Sequence, residues 1–219
     1  MPQREIKKSY QNITGKVISL KNRRAMSFES GLERDFLTLL DFDITVDAFE
    51  EQPVTIPVAL PNGTSTIYTP DVLVTYRSDI DMAIGMVPML CEVKYRDDLF
   101  SKWSYYKPRF KAARRYARNR GWIFRIITER EIKTPLLENV RFLSQYERYL
   151  GIDGQANQIL SILKVAEECE IKFLINKCSM NKWDQAQYLP VLWRLICERR
   201  IGVNMSQKIT MSSLIWNVE

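Results

Sequence analysis

The sequence predicts a mixed α/β domain followed by a smaller, mainly helical one. Up to Lys133, short apolar runs rich in β-branched and aromatic residues alternate with segments of helical periodicity. Beyond this point helical patterns dominate, and they end in two short strand-like runs. The chain has 219 residues and is 46% hydrophobic, which is enough for one large core or two small ones.

We divide the chain at residue 135. Residues 1–27 are polar and basic, which predicts an N-terminal arm with little structure of its own. Residues 28–135 contain the mixed α/β pattern, and residues 136–219 contain the mainly helical one. The boundary is placed near Lys133-Thr134-Pro135, where the pattern changes.

The first helix is predicted from Ser27 onward by apolar residues at helical spacing. These are Leu32, Phe36, Leu39 and Leu40. Three strands follow, with a tight turn at Asn62-Gly63 between the first and the second. The third strand is almost continuously apolar, which predicts a central position in the sheet. The three strand segments are EQPVTIPVAL, STIYTPDVLVTY and GMVPMLCEVKY.

A second helix is predicted over Tyr106–Asn119, and the strand WIFRIITE follows it. After the boundary come four helical segments and then two short strands around a polar turn at Ser206-Gln207-Lys208. This is the order of a winged helix, a common nucleic-acid-binding or partner-binding module. The alternative is a helical interaction domain that does not touch DNA. The helical segments are ENVRFLSQYERYL, QANQILSILKVAEE, IKFLINKCS and DQAQYLPVLWRLICERR.

The composition narrows the possible chemistry. The sequence has no histidine, which excludes Ser-His-Asp triads, Cys-His pairs and a histidine general base. Its four cysteines are irregularly spaced and form no CxxC pair, so we expect a reduced, cytoplasmic protein without a structural zinc site. We also expect a soluble protein, because no apolar run approaches the length of a membrane span. Catalysis would need carboxylates, lysine, tyrosine or a metal held by oxygen ligands.

The net charge of +6 is unevenly distributed. Residues 1–28 carry seven basic residues and one acidic residue, residues 29–98 carry four basic and fourteen acidic, and residues 99–128 carry nine basic and no acidic. An acidic block between basic ones fits a site where carboxylates hold cations while the basic flanks attract a polyanion.

Residues 99–128 also interleave their basic residues with aromatic ones, which suits a nucleic-acid surface. The alternative is that some of the aromatic residues belong to the core and that the arginines form an ordinary solvated helix face. The candidate DNA-binding residues are Lys102, Lys107, Arg109, Lys111, Arg114, Arg115 and Arg118.

Two carboxylates and a lysine stand beside apolar runs, at Asp71, Glu92 and Lys94. The chain between Asp71 and Glu92 is long enough for one strand to turn and return on its neighbour, so the two carboxylates can meet at adjacent strand ends. With the carbonyl oxygen of Val93 they form a hard-oxygen site suited to Mg²⁺ or Mn²⁺. Lys94, on the same face as Glu92, can orient or deprotonate a water or neutralise charge on a phosphate.

A third acid can come from the first helix. Ser30-Gly31-Leu32-Glu33 matches the S-x-x-E capping pattern, so Glu33 either only caps the helix or also joins the site as a metal ligand. Glu29, one turn away, competes for the same role. The simpler interpretation of the strand motif is that its residues are ordinary solvated charges at strand ends.

Pro70-Asp71 followed by Glu92-Val93-Lys94 resembles the PD-(D/E)xK motif of nucleases. The order of several motifs is similar to that of TnsA, the endonuclease family of heteromeric cut-and-paste transposases. The resemblance covers residues 27–133, and the remainder matches only in architecture. The motifs are Ser30-Gly31-Leu32-Glu33, Glu51-Gln52-Pro53, Thr69-Pro70-Asp71, Glu92-Val93-Lys94 and Ile127-Thr128-Glu129-Arg130-Glu131-Ile132.

The resemblance implies a restriction-endonuclease-like fold in which Glu33, Asp71, Glu92 and Lys94 are the active-site residues. It implies that the protein cleaves the 5′ ends of a transposon in the bacterial cytoplasm, while a DDE-type transposase acts at the 3′ ends. The C-terminal domain is then expected to contact an AAA+ regulator and DNA. The family pattern has Gln where this chain has Glu92, so metal ligation can differ in detail. A stand-alone restriction or repair nuclease and a non-catalytic DNA-binding scaffold are the alternatives.

Overall fold

The computed structural model describes residues 13–80, 83–151 and 153–218. The chain divides into two compact units, the first ending at Lys133 and the second beginning at Thr134. This division falls two residues before the limit placed at residue 135 from the sequence. Within the described ranges, no helix is both long and apolar enough to cross a membrane.

The described part of the first unit contains a mixed four-stranded sheet, two hairpins and four α-helices. Its strands are β1 (Gly15–Ser19), β2 (Arg24–Phe28), β3 (Val46–Glu51), β4 (Ile56–Ala59), β5 (Ser65–Tyr68), β6 (Val72–Tyr76), β7 (Met89–Val93) and β8 (Ile123–Ile127). Its helices are α1 (Gly31–Phe42), α2 (Arg96–Ser101), α3 (Trp103–Arg118) and α4 (Glu129–Ile132).

The central sheet has the strand order β3-β6-β7-β8. The first two pairings are antiparallel, and β7 pairs with β8 in parallel. A parallel pair needs a crossover connection, and α2 and α3 supply it. The interior place of β7 confirms the central position that its apolar sequence predicts. Helix α3 buries Tyr106, Phe110 and Ala113 in one core cluster with Leu90 of β7.

One of the predicted strands is shortened, with the strand before it missed, and another is divided. In EQPVTIPVAL the chain leaves β3 at Glu51, turns at Gln52, whose φ is 49°, and re-enters a strand only at β4. In STIYTPDVLVTY the break falls at Thr69-Pro70-Asp71, between β5 and β6. Proline lacks an amide hydrogen and fixes its own φ, so it does not continue a paired strand readily. The second break places Asp71 directly before the first residue of β6.

The hairpin of β1 and β2 shows that the prediction of a little-structured arm over residues 1–27 is wrong for this segment. Met26 and Phe28, which alternate along β2, are buried. The carboxylate of Asp41 in α1 accepts hydrogen bonds from Ser19 Oγ (2.6 Å) and from the amide groups at residues 20 and 21 (3.0 and 3.1 Å). Burial and this anchored turn order the hairpin, and residues 1–12 of the predicted arm lie outside the described residues.

The second unit combines helices with a small antiparallel sheet of order β10-β11-β9. Its elements are α5 (Pro135–Leu143), α6 (Asp153–Ala166), β9 (Glu168–Glu170), α7 (Ile171–Cys178), α8 (Lys182–Cys197), β10 (Ile201–Val203) and β11 (Leu214–Asn217). The buried Asn139 donates to the carbonyls of Met205 (3.1 Å) and Gln207 (2.7 Å) and accepts from the amide of Ile209 (2.9 Å). One side chain of α5 thus fixes the loop between β10 and β11.

Replacing Asp41 should destabilise the first unit. Asp41→Ala removes three hydrogen bonds that hold the β1–β2 turn, and we expect a loss of about 1–3 kcal/mol in the free energy of unfolding, measured by urea denaturation. Asp47→Ala, at an exposed position of β3, is the control and should change stability by less than about 0.5 kcal/mol. Equal effects of the two variants would contradict an ordered hairpin.

Candidate active site

The candidate site lies where the beginning of β6 meets the end of β7. The register of the two strands pairs Val72 with Cys91, so Asp71 lies beside the last residues of β7. The amide of Asp71 donates to the carbonyl of Cys91 (3.1 Å), and the carbonyl of Asp71 accepts from the amide of Gln52 (2.8 Å). The backbone of Asp71 is therefore held from both sides.

Three oxygen atoms converge on the ammonium group of Lys94. Nζ of Lys94 lies 2.9 Å from Oε1 of Glu92, 3.2 Å from Oδ2 of Asp71 and 3.1 Å from the carbonyl oxygen of Val93. Oδ2 of Asp71 also accepts the amide hydrogen of Val93 at 2.7 Å. The structure thus brings together Asp71, Glu92, Val93 and Lys94, with Nζ turned toward the carboxylates.

Burial and mutual charge perturb all three ionisable groups. Glu92 is 3% exposed, and its burial, together with the charge of Asp71, raises its pKa to about 7. Burial also raises the pKa of Asp71, although Lys94 opposes this. For Lys94, burial acts to lower the pKa, but the charges of the two carboxylates outweigh it and raise the pKa above its usual value. Lys94 is therefore a protonated donor in this arrangement.

Tyr68 is a site residue that the sequence reasoning missed. Its buried hydroxyl donates to Oε2 of Glu92 at 2.5 Å, on the carboxylate oxygen that does not face Lys94. Burial and the charge of Glu92 raise the pKa of Tyr68 far above its usual value, so the hydroxyl keeps its proton. A strand-end tyrosine is more often a core residue, and nothing in its local sequence indicates this contact.

Glu33 performs the capping role that its motif predicts. Its amide donates to Ser30 Oγ (3.1 Å), and its carboxylate accepts from Ser30 Oγ (3.0 Å) and from the amide of Glu29 (2.8 Å). Burial and the charge of Asp71 raise its pKa, which indicates that it lies within electrostatic range of the site. The competing candidate, Glu29, accepts a hydrogen bond from Gln52 Nε2 at 2.9 Å.

The oxygen atoms around Lys94 fit a hard divalent cation by their chemistry. Two carboxylates and a backbone carbonyl are ligands of the kind that Mg²⁺ and Mn²⁺ prefer, and here all three already face one positive charge. Among the described residues, no three acidic or cysteine side chains form a metal-binding cluster. Glu33 as a third carboxylate ligand therefore stays a prediction.

The basic residues predicted to bind DNA, which lie in or just before α3, differ in their exposure to solvent. Six of the seven DNA-binding candidates are exposed along or just before α3: Lys102, Lys107, Lys111, Arg114, Arg115 and Arg118. Arg109 is a correction, because it is buried, donates to the carbonyl of Tyr105 (2.6 Å) and lies over that ring at 3.6 Å from the centroid. Its guanidinium packs against its own helix and is removed from the surface that DNA could reach.

A mixed sheet flanked by helices, with an Asp and a Glu-Val-Lys segment at neighbouring strand ends, defines the first unit as a nuclease of the restriction-endonuclease-like class. A family model for the TnsA-like endonuclease N terminal matches residues 43–129. A second model, for the TnsA endonuclease C terminal, matches residues 131–205. The chain therefore belongs to the TnsA family of transposon endonucleases.

A comparison with curated proteins finds no match to this chain. Membership of the TnsA family makes it a DNA endonuclease and an endonuclease subunit of a transposase. The family works on DNA together with other transposase subunits.

The raised pKa of Glu92 predicts that stability falls as pH rises in metal-free buffer. Unfolded glutamate ionises near pH 4.3, whereas folded Glu92 stays protonated until about pH 7. The stabilisation from the neutral carboxyl is complete below the unfolded pKa and is lost as pH rises through about 7. Glu92→Gln cannot titrate, so the fall in its free energy of unfolding between about pH 5 and pH 8 should be smaller than in the wild type by on the order of 1–3 kcal/mol. Urea denaturation across this pH range measures the difference.

Glu51→Gln is the matched control. Burial acts to raise the pKa of Glu51, but its hydrogen bonds from Arg24 lower it below the usual value. Its carboxylate is therefore ionised throughout this pH window in both states, and the variant should keep the wild-type slope. An unchanged slope in Glu92→Gln would contradict the assigned environment of Glu92.

Proposed function

We propose that this protein is the metal-dependent subunit of a heteromeric cut-and-paste transposase that cleaves the 5′ ends of the transposon. A DDE-type transposase would cut and join the 3′ ends, and an AAA+ regulator would be the further partner. The convergence of Asp71, Glu92 and the Val93 carbonyl on one cation, Lys94, is the observation that carries the proposal. Phosphodiester hydrolysis needs such a site because negative charge develops on the phosphate.

Asp71, Glu92 and Val93 would hold Mg²⁺ or Mn²⁺, with Glu33 as the candidate for a further carboxylate. When bound, the ion would lower the pKa of a coordinated water and offset charge on the phosphate. The side chains supply the framework for this. The Val93 amide fixes Oδ2 of Asp71, and the Tyr68 hydroxyl fixes Oε2 of Glu92, so both carboxylates are oriented in advance.

Lys94 acts as a charged hydrogen-bond donor in this proposal. Its pKa is raised by Asp71 and Glu92, so it keeps its proton at neutral pH and does not serve as the base in the arrangement observed. An ammonium beside the scissile phosphate can hydrogen-bond a non-bridging oxygen and hold the attacking water in place. The sequence leaves three roles open for Lys94. Neutralising charge on the phosphate and orienting the attacking water are favoured over deprotonating that water.

The exposed basic residues of α3 supply the DNA contact in this proposal. Lys107, Lys111, Arg114 and Arg118 follow one another at helical spacing, so they lie along one face of the helix. Lysine and arginine at such spacing bind backbone phosphates without reading the base sequence. Helix α3 begins on the side where β7 ends, so a duplex bound to the first turns of this face would lie near the reactive groups.

The second unit is proposed to be a winged-helix module. Its order α6-β9-α7-α8-β10-β11, with β10 and β11 joined by the loop that Asn139 fixes, supports this assignment. Helix α8 and the β10–β11 loop are then the candidate surfaces for DNA or for the AAA+ regulator. The cleavage chemistry resides in the first unit, so it can be tested with the second unit intact.

Two substitutions test the chemistry. Asp71→Asn removes a negative charge from the cation site and Lys94→Ala removes the donor, so each should reduce 5′-end cleavage by at least about 10²-fold. The measurement is cleavage of transposon-end DNA by the full chain with its cognate transposase and Mg²⁺. Asp47→Asn, at an exposed position of β3, is the control and should cut at the wild-type rate.

Each outcome of this experiment selects one function. Wild-type-like cleavage by either Asp71→Asn or Lys94→Ala would overturn the proposal. Robust cutting of naked DNA without the transposase would favour a stand-alone restriction or repair nuclease. Absence of cleavage together with no heat of Mg²⁺ binding in calorimetry would favour a non-catalytic scaffold.

The proposed DNA face of α3 predicts a salt effect. Alanine at Lys107, Lys111 or Arg114 should weaken binding equally across DNA sequences. Each substitution should also reduce the slope of log K against log salt by about 0.9 for every phosphate that is no longer neutralised. Arg77→Ala is the control, because Arg77 already pairs with Asp79 in the same unit. An unchanged slope in the α3 variants would exclude this helix face from DNA binding.

A further inference from the structure

An apolar cavity of about 400 Å³ opens beside the candidate active site in the first unit. Its size falls within the range of ordinary ligand pockets, roughly 300–1,000 Å³. Its walls come from α2, the start of α3 and the end of β8: Arg96, Leu99, Phe100, Trp103, Ile126 and Thr128. None of these residues belongs to the cation site, so the cavity needs a separate explanation.

The cavity shares its sheet face with Glu92. Register pairs Glu92 of β7 with Ile126 of β8, and directly paired residues of neighbouring strands point to the same side. Arg96 follows Lys94 by two residues, and the amide of Lys94 donates to the carbonyl of Ile127 at 3.1 Å. The backbone that carries Lys94 is therefore next to the strand end that lines the cavity, which brings the cavity within reach of a nucleotide neighbouring a phosphate at Lys94.

Two aromatic side chains present their rings to solvent at the cavity. Phe100 is 73% exposed and Trp103 is 48% exposed, which is unusual for such large apolar groups. Trp103 packs at 6.1 Å against the buried ring of Phe110, and the guanidinium of Arg96 lies 5.5 Å from the centroid of Phe100. Trp103 is thus anchored to the core through Phe110, and both aromatic rings leave most or about half of their surface open to a stacking partner.

The cavity lining is apolar apart from Thr128 and one cation, Arg96, which favours a ring attached to a phosphate chain over a wholly apolar protein segment. Residues 99–128 contain nine basic residues and no acidic ones. Three acids also lie near the cavity: Asp97 is exposed, Asp98 binds Lys102 (2.7 Å) and the Tyr106 hydroxyl, and Glu129 accepts the amide hydrogen of Arg96 (3.0 Å). Aromatic rings beside phosphate-binding cations are the combination that single-stranded nucleic-acid sites use.

We infer that this cavity receives an unstacked DNA base next to the scissile phosphate, stacked on Phe100 and Trp103 and flanked by Arg96. The inference rests on the proposed function and adds a base-binding subsite to it. Leaving the duplex stack has a cost that is smallest at mismatched or frayed positions, and stacking on an aromatic ring offsets it. The subsite would therefore favour ends whose base pair at the cut is weak.

Photocrosslinking tests this placement directly. Transposon-end duplexes carry 5-iodouracil at successive positions around the mapped 5′ cut, and they are irradiated with the full chain and its transposase. We expect one position to crosslink to Phe100 or Trp103, identified by mass spectrometry. Phe100→Leu keeps an apolar group but removes the ring, so it should lose the crosslink and weaken end binding by about 10-fold, while Phe100→Tyr should retain both.

Tyr105→Leu is the matched control. Tyr105 is 55% exposed on the same helix but does not line the cavity, so its replacement should leave the crosslink unchanged. If the ends are cut but no position crosslinks to Phe100 or Trp103, the subsite is excluded and the proposed function stands. If the ends are not cut at all, the proposed function itself fails. A third outcome is that Trp103 does not crosslink to DNA, and that the transposase alone protects it from chemical labelling. This result would identify a protein partner instead of a base and would also overturn the subsite.

Discussion

Asp71 and Glu92 are held close together at the ends of two strands, and the ammonium group of Lys94 offsets their mutual repulsion when both are ionised. Glu92 is buried and Asp71 is half-buried. Away from water, like charges repel each other more strongly and ionised groups lose their hydration. Lys94 supplies one positive charge to two carboxylates, so the group carries a net negative charge when both acids are ionised. A bound divalent ion or a basic group of a partner would neutralise that residual negative charge.

Much of the first unit serves to maintain that placement. The β6–β7 pairing sets Asp71 against Glu92, the amide of Val93 orients one carboxylate and Tyr68 orients the other. Helix α3 covers this face of the sheet with Tyr106 and Phe110. Among the described residues, every buried side-chain nitrogen or oxygen has a hydrogen-bond partner, as expected where unpaired polar groups are costly.

The parts of the fold that follow a local pattern are predictable from the sequence. Helices α1 and α3 show a helical period, β7 is continuously apolar, and the alternation along a strand places Glu92 and Lys94 together. Strand β3 escapes prediction because it lies at the edge of the sheet, where one face is exposed and its sequence, VDAFEE, is half acidic.

The contacts that sequence reasoning misses depend on tertiary structure. Tyr68 and Glu92 are 24 residues apart, and no periodicity links them. Charge alone assigns Arg109 to the DNA surface, although it sits next to the buried Phe110. Its place on the helix puts it at the edge of the core, where a long side chain can lie flat over an aromatic ring.

The break at Thr69-Pro70-Asp71 has a consequence for how this gene can vary in length. Tyr68 ends β5 and Asp71 directly precedes β6, and both side chains are positioned toward the Glu92–Val93 segment. Inserting or deleting one residue between Tyr68 and Asp71 would therefore move one of the two side chains away from its partner. Substitutions around this segment change local packing, but an indel would dismantle the site in one step. Divergent homologues should therefore keep a constant spacing here and accommodate insertions elsewhere, such as the exposed Asn62-Gly63 turn.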